Sequence, residues 1–142
     1  MTDSAKTRPV FRNIHVTQIV GYRLPPAGVV SILHRISGLL MFALLPFVVW
    51  MLDGSLTSEI SYDSFTNVFV AGVAGIPAVI VKLVLLALIW AYLLHFIAGV
   101  RHLWMDATHS VSKAQGHSSA VITLGLSSVL TLLVAAKLFG LY

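Results

Sequence analysis

Three long apolar stretches decide what this chain can become. About Val29 to Leu52, about Ile76 to Trp104 and about Ser119 to Phe139 are each long enough to cross a hydrocarbon core, which takes roughly 20 residues of helix. Backbone groups in lipid must find their partners within the protein, which a lone strand cannot provide, so each stretch is predicted as a transmembrane helix. The composition agrees. The chain is 58% hydrophobic and 10% charged, and its mean hydropathy of +0.93 lies outside the range of ordinary soluble domains. The expected fold class is an all-α membrane protein with three transmembrane helices. Residues 1–142 are expected to form a single domain, with a polar arm over 1–28 and spans over about 29–52, 76–104 and 119–139.

The first 28 residues are polar, basic and proline-containing. The first apolar run therefore lacks the placement of a secretory signal peptide and is expected to remain in the mature chain. There is no cysteine, which excludes disulfides, thiol chemistry and any iron–sulfur cluster held by this chain. Any redox chemistry requires a cofactor. The net charge is +4, but the basic residues cluster only in the arm, so lipid is the expected partner and nucleic acid is not. Lys6, Arg8, Arg12 and Arg23 lie before the first span, whereas the 53–75 connection carries Asp53, Glu59 and Asp63 and no Lys or Arg. The N-terminus is thus expected in the cytoplasm or matrix and Tyr142 on the far side. Lys82 and Lys137 fall near the outer ends of spans two and three, where long stems snorkel.

The informative residues are the polar ones inside the spans. His34 and Arg35 lie in the first; His95, Arg101 and His102 lie in the second. A charge at the membrane centre costs at least about 2.5–3.5 kcal/mol, so each such group requires compensation. Antiparallel spans bring the start of one helix level with the end of the next, which puts all five residues in the cytoplasmic half. Ser31, His34 and Arg35 are related by i, i+3 and i+4 and share a face. His95, Gly99 and His102 follow i, i+4 and i+7, a single stripe with its histidines about 10.5 Å apart along the axis. Gly99 leaves a flat gap beside a deep imidazole, space of the kind a macrocycle occupies.

Each of these has a plainer alternative. A lone membrane histidine can hydrogen-bond a neighbouring helix, a membrane glycine commonly serves close packing, and Arg35 is near enough to the membrane boundary to snorkel. Asp106, four residues after His102, can pair with it structurally. Ser127, Ser128 and Thr131 in the third span read as packing residues, and His15, His109 and His117 as solvated. Metal-dependent hydrolysis is a poor fit, since no H-E-x-x-H and no acid within a span is present.

"SILHRISG" at 31–38 and "HFIAGVRHLWMD" at 95–106, with "RPV" near the N-terminus, together resemble the cytochrome b556 membrane-anchor subunits of succinate dehydrogenase, respiratory complex II. The likeness extends over nearly the whole chain. It implies one half of a heterodimeric helical bundle, formed with a second small membrane-anchor subunit, that holds the flavoprotein and iron–sulfur subunits on the cytoplasmic side. It further implies a haem b shared between the two anchors, with His95 as axial ligand to the haem iron. Ser31 and Arg35 match the positions that help form the ubiquinone site. His34 and Arg35 match those near the haem propionates, and Arg101 and His102 take supporting roles there. No catalytic residue of the dehydrogenase itself is implied.

Physical chemistry is consistent with these roles. A bis-histidine haem has no open position and suits electron transfer. One deep histidine is available in this chain, so the second ligand falls to a partner. Ser31 can donate to a quinone carbonyl, and Arg35, permanently charged, can stabilise negative charge developing there. The competing reading is a haem-free structural anchor for a soluble dehydrogenase, its intramembrane His and Arg merely paired with neighbouring helices. The arm lacks an Arg- and Ser-rich amphipathic transit segment, so a bacterial inner membrane is expected over a mitochondrial one.

Overall fold

The computed structural model describes residues 15, 17–18 and 21–141. Lys6, Arg8, Arg12 and the Arg8-Pro9-Val10 stretch lie outside the described residues. Among the described residues, from Pro26 onward, the helices run in this order: α1 (Pro26–Ala43), α2 (Leu45–Leu56), α3 (Glu59–Ala71), α4 (Ala78–Thr108) and α5 (Lys113–Leu138). No strand is present among the described residues, as the apolar run lengths require. Helices α1, α4 and α5 are each long and apolar enough to cross a membrane.

The first apolar run differs from expectation. It was expected as one helix over 29–52, and it is two. Pro25, extended at φ −67° and ψ 155°, leads into Pro26 in the first turn of α1, where proline's missing N–H costs nothing. Pro46 then has no N–H for the Phe42 carbonyl, and its ring crowds that carbonyl. The helix breaks at Leu44 (φ −93°, ψ 3°) and restarts as α2. Leu44 N donates to Leu40 O at 3.0 Å on one side of the break, and Val48 N to Leu44 O at 3.1 Å on the other.

The outer connection holds a helix of its own. Ser58 caps α3 reciprocally with Ser61: Ser61 N donates to Ser58 Oγ at 3.1 Å and Ser58 N to Ser61 Oγ at 2.9 Å. The helix stops at Gly72, whose φ of +89° only glycine adopts without strain. A Cβ there would overlap the Ile76 carbonyl oxygen. Val73 and Ile76 exchange hydrogen bonds of 3.1 and 2.8 Å, closing a tight reversal that turns the chain into α4.

Helix α4 has 31 residues, about 46 Å at 1.5 Å each, more than a hydrocarbon core of about 30 Å. It continues past Trp104 to Thr108 and ends where His109 turns left-handed at φ 54°. Helix α5 starts six residues before the expected Ser119 because Ser112 and Gln115 form a capping box: Gln115 N donates to Ser112 Oγ at 3.3 Å and Ser112 N to Gln115 Oε1 at 3.2 Å.

α1, α4 and α5 pack together through small side chains. Val30, Ala98 and Ala120, one from each helix, form the buried centre, with Ala27 and Leu124 against it. Small residues let membrane helices approach closely, since lipid supplies no hydrophobic drive between them. Buried hydroxyls bond to their own helix: Thr123 Oγ1 donates to Ser119 O at 2.9 Å, Ser127 Oγ to Leu124 O at 3.2 Å, and Thr131 Oγ1 to Ser127 O at 2.7 Å. At the opposite end, Lys82 Nζ lies 5.6 Å from the Phe139 ring centre, within cation–π range. Large apolar side chains such as Leu39, Phe42, Leu103 and Leu132 point outward, towards lipid or another membrane chain.

The reversal generates a paired prediction. Gly72→Ala should destabilise the protein by about 1–3 kcal/mol from its backbone conformation (φ 89°, ψ −170°) alone, before the overlap is counted. Gly54→Ala, which has open space around it, should be neutral or slightly stabilising. Thermal unfolding in detergent measures both, and equal melting temperatures would show that the turn does not need its glycine.

Candidate functional site

The seam between α1 and α4 gathers three histidines. The His34 ring stacks on the His95 ring with centres 4.0 Å apart and planes 25° off parallel. His102 lies on the other side, its ring centre 5.4 Å from that of His34. His34, from α1, therefore sits between the two α4 histidines. The i, i+7 stripe on α4 makes this possible, because both its imidazoles face the same neighbour.

Hydrogen bonding fixes the chemistry of His95. Its Nδ1 is 3.0 Å from the His34 carbonyl oxygen. A carbonyl has no proton to give, so Nδ1 carries the hydrogen and donates it. In a neutral imidazole the lone pair then resides on Nε2, which makes no hydrogen bond among the described residues. Ser37 adds to the same point: its Oγ donates to the His34 carbonyl at 2.9 Å and lies 3.2 Å from His95 Nδ1.

Two glycines make room. A Cβ on Gly38 would meet His95 Cε1 at 3.0 Å, and one on Gly99 would stand 4.0 Å from His34 Nε2. Gly99 thus faces the α1 histidine across the seam. His34 Nε2 itself is buried and lacks a hydrogen-bond partner among the described residues, an expensive condition at membrane depth unless another group supplies one.

The remaining candidates divide. Arg35 is exposed and Ser31 is partly buried, and neither side chain forms a hydrogen bond among the described residues. Arg101 is only 8% exposed and turns to the third span, its Nε donating to Ser119 Oγ at 2.9 Å and its Nη2 to Gly116 O at 3.3 Å. It ties α4 to α5. His15 pairs only locally, its Nδ1 lying 3.0 Å from Thr17 Oγ1, and Asp106, His109 and His117 are exposed.

Ser37 and Gly38 are the residues that sequence reasoning passed over. Both stand inside "SILHRISG", three and four positions after His34, so helical spacing already put them on its face. The missing information was which residue of α4 came level with them.

The donor set suits a metal-centred macrocycle. A histidine whose Nδ1–H is held by a backbone carbonyl presents Nε2 to a metal in a fixed orientation. A stacked neighbour covers the face of the ring and leaves the in-plane lone pair clear. Groups of three or more side chains arranged to hold a metal ion are absent among the described residues.

Taken together, helices and seam fit a multi-pass membrane protein with a histidine cluster between its first and second spans. Residues 4–134 match the succinate dehydrogenase/fumarate reductase transmembrane subunit family, and the chain belongs to it. It is 30% identical over 118 residues to the succinate dehydrogenase cytochrome b556 subunit of Paracoccus denitrificans, covering 83% of this chain and 85% of the relative. It is likewise 30% identical over 122 residues to that subunit of Coxiella burnetii, covering 86% and 89%. The corresponding protein of Rickettsia felis is 27% identical over 113 residues, 80% and 82% of the two chains.

Arg101's position yields a prediction. Arg101→Ala should lower the stability of the helix assembly by about 1.5–3 kcal/mol, the range for hydrogen bonds to a charged group. Arg101→Lys should recover only part, because an ammonium cannot reproduce the two-point fork. Thermal unfolding of the purified protein tests it; a melting temperature unchanged in Arg101→Ala would mean that the clamp carries no weight.

Proposed function

We propose that this chain is the cytochrome b subunit of a membrane-bound succinate:quinone oxidoreductase, holding haem b with a partner subunit and forming part of the quinone-reduction site. The observation that carries this reading is the Nδ1–H of His95 held on the His34 carbonyl at 3.0 Å, which leaves Nε2 as the ligand atom. Its relatives in Paracoccus and Coxiella bear the name of b-type cytochromes of succinate dehydrogenase.

When bound, haem b would supply reversible one-electron storage. The chain's own groups do the rest. His95 orients the macrocycle through a ring that cannot swing, because the carbonyl holds one edge and the His34 face covers one side. His34 and His102 line the seam beside it; Arg35 would bring positive charge to offset propionates, and Arg101, held on α5 by Ser119 and Gly116, would add its charge only from that clamp.

Ser31 and Arg35 lie one helical turn apart on α1 and have donors to give. Ser31 Oγ–H suits one carbonyl oxygen of ubiquinone. Arg35 stabilises the negative charge that grows on that head group during reduction, before protons arrive. The chain would thereby accept electrons from an iron–sulfur subunit that is itself reduced by a flavoprotein subunit.

The His34–His95 geometry bears on the partner. Metal–imidazole bonds are about 2 Å long, so two imidazoles on opposite faces of one iron need ring centres much farther apart than 4.0 Å. His34 and His95 cannot be the two axial ligands of one haem as they stand. The second ligand is assigned to another small anchor subunit. The charge asymmetry between the basic arm and the acidic 53–75 connection supports an orientation with the N-terminus on the cytoplasmic side and the C-terminus on the opposite side.

A haem-free anchor is the alternative, and the same stack favours it in one respect: a paired, hydrogen-bonded histidine requires no metal. His95→Leu decides between them. Loss or a marked shift of the b-type reduced-minus-oxidised band in the purified complex is expected, and an unchanged band would remove His95 as ligand. For the quinone role, Arg35→Ala should leave succinate oxidation by a soluble dye nearly intact while reducing quinone turnover about tenfold or more; equal quinone rates would take Arg35 out of the site.

A further inference from the structure

We propose that Ser37 is a positioning residue for the haem ligand, holding His95 in one tautomer and strengthening Nε2 as a donor. This rests on the haem-binding reading above and goes beyond it, since it assigns the strength of the ligand to a residue whose side chain hydrogen-bonds His34 O and His95 Nδ1 and to which that reading gives no role.

Ser37 is fully buried, at 0% exposure. Its Oγ has a single proton, and this goes to the His34 carbonyl at 2.9 Å. The lone pairs are what remain for His95 Nδ1 at 3.2 Å. The Nδ1–H is therefore shared between two acceptors, the His34 carbonyl at 3.0 Å and the Ser37 oxygen. Each acceptor draws the proton outward and leaves more electron density on the ring, which makes Nε2 the stronger donor and favours the oxidised metal. A flipped ring would place an aprotic edge against the carbonyl, losing both bonds at once. Gly38 makes this geometry accessible, because a Cβ there would already crowd His95 Cε1 at 3.0 Å.

A plain alternative exists for any buried serine in a helix, namely bonding back to its own backbone. The molecule contains its own control. Ser127 is equally buried, at 1% exposure, and bonds back to the Leu124 carbonyl at 3.2 Å, but no histidine is among its hydrogen-bond partners. If Ser37 only packs, the two serines should behave alike.

The experiment is a redox titration of the haem in the assembled complex in native membranes, with the haem-to-flavin ratio measured alongside, for the parent, Ser37→Ala, Ser37→Cys and Ser127→Ala. Ser37→Ala is expected to raise the midpoint potential and to weaken haem retention about tenfold, the low end for losing a partner of a metal-bound histidine. Ser37→Cys, of similar shape but a poorer acceptor, should fall between it and the parent. Ser127→Ala should leave the potential unchanged. Full haem with an unaltered potential in Ser37→Ala, or an equal shift in Ser127→Ala, overturns the proposal. Should Ser37→Ala fail to assemble, Ser37→Cys decides by the same criterion. A parent complex without haem, or a haem band indifferent to His95→Leu, overturns the underlying reading instead, so the two failures are distinct.

Discussion

A polar atom at membrane depth has no water to turn to, and this structure is organised by how its buried polar atoms find partners. The third span uses the cheapest solution, with Thr123, Ser127 and Thr131 bonding back along their own helix. Arg101 uses a second, reaching across to Ser119 and Gly116 and so joining α4 to α5. The seam between α1 and α4 uses a third, in which the His34 carbonyl receives protons from both His95 and Ser37. The buried Nε2 of His34 has no hydrogen-bond partner among the described residues, and in the same seam His95 has its Nε2 left over once Nδ1 is held on the His34 carbonyl. Seam nitrogens with no partner of their own are where a further group would find one.

Close approach is what lets one carbonyl serve two side chains. Val30, Ala98 and Ala120 meet at the centre of the three-helix cluster, and no larger set would bring the backbones as near. Gly38 and Gly99 extend the same economy of volume to the histidines, one opposite His95 and the other opposite His34. Packing and chemistry are therefore not separate layers here. A methyl group added at Gly38 would act on His95 directly, although Gly38 has no polar atom in its side chain to offer.

The spans were legible because hydrophobic run length is a property of the sequence alone, and membrane thickness sets its threshold. The break in the first run was less so: a string of apolar residues hides the fact that Pro46 deprives the Phe42 carbonyl of its donor. The early start of α5 depended on a capping pair, Ser112 with Gln115, that lies in a polar stretch and leaves no hydrophobic trace. Within the seam, periodicity placed His95, Gly99 and His102 on one stripe and Ser31, His34 and Arg35 on one face. It did not provide the register between the two helices. That register is what sets Ser37 beside His95 and turns Arg101 to α5, and it depends on long-range packing that no local pattern encodes.

The stack of His34 on His95 has a consequence for assembly. Rings whose centres are 4.0 Å apart and nearly parallel cannot grip opposite faces of one porphyrin, so in the proposed role the chain alone is an incomplete site. His95 would supply one nitrogen to the haem group, and a second would have to come from outside the chain. A ligand that binds only the assembled state stabilises that state in proportion to the logarithm of its concentration over its dissociation constant. Haem bound in this manner would hold two membrane chains together as well as store an electron. The exposed apolar faces of α1 and α4, with Leu39 at 69% and Leu103 at 70% exposure, give the second chain no directional hold, because lipid competes for them on equal terms. Specific pairing would then fall to the few polar and coordinating groups in the seam, and the fixed tautomer of His95 is what makes one of them directional.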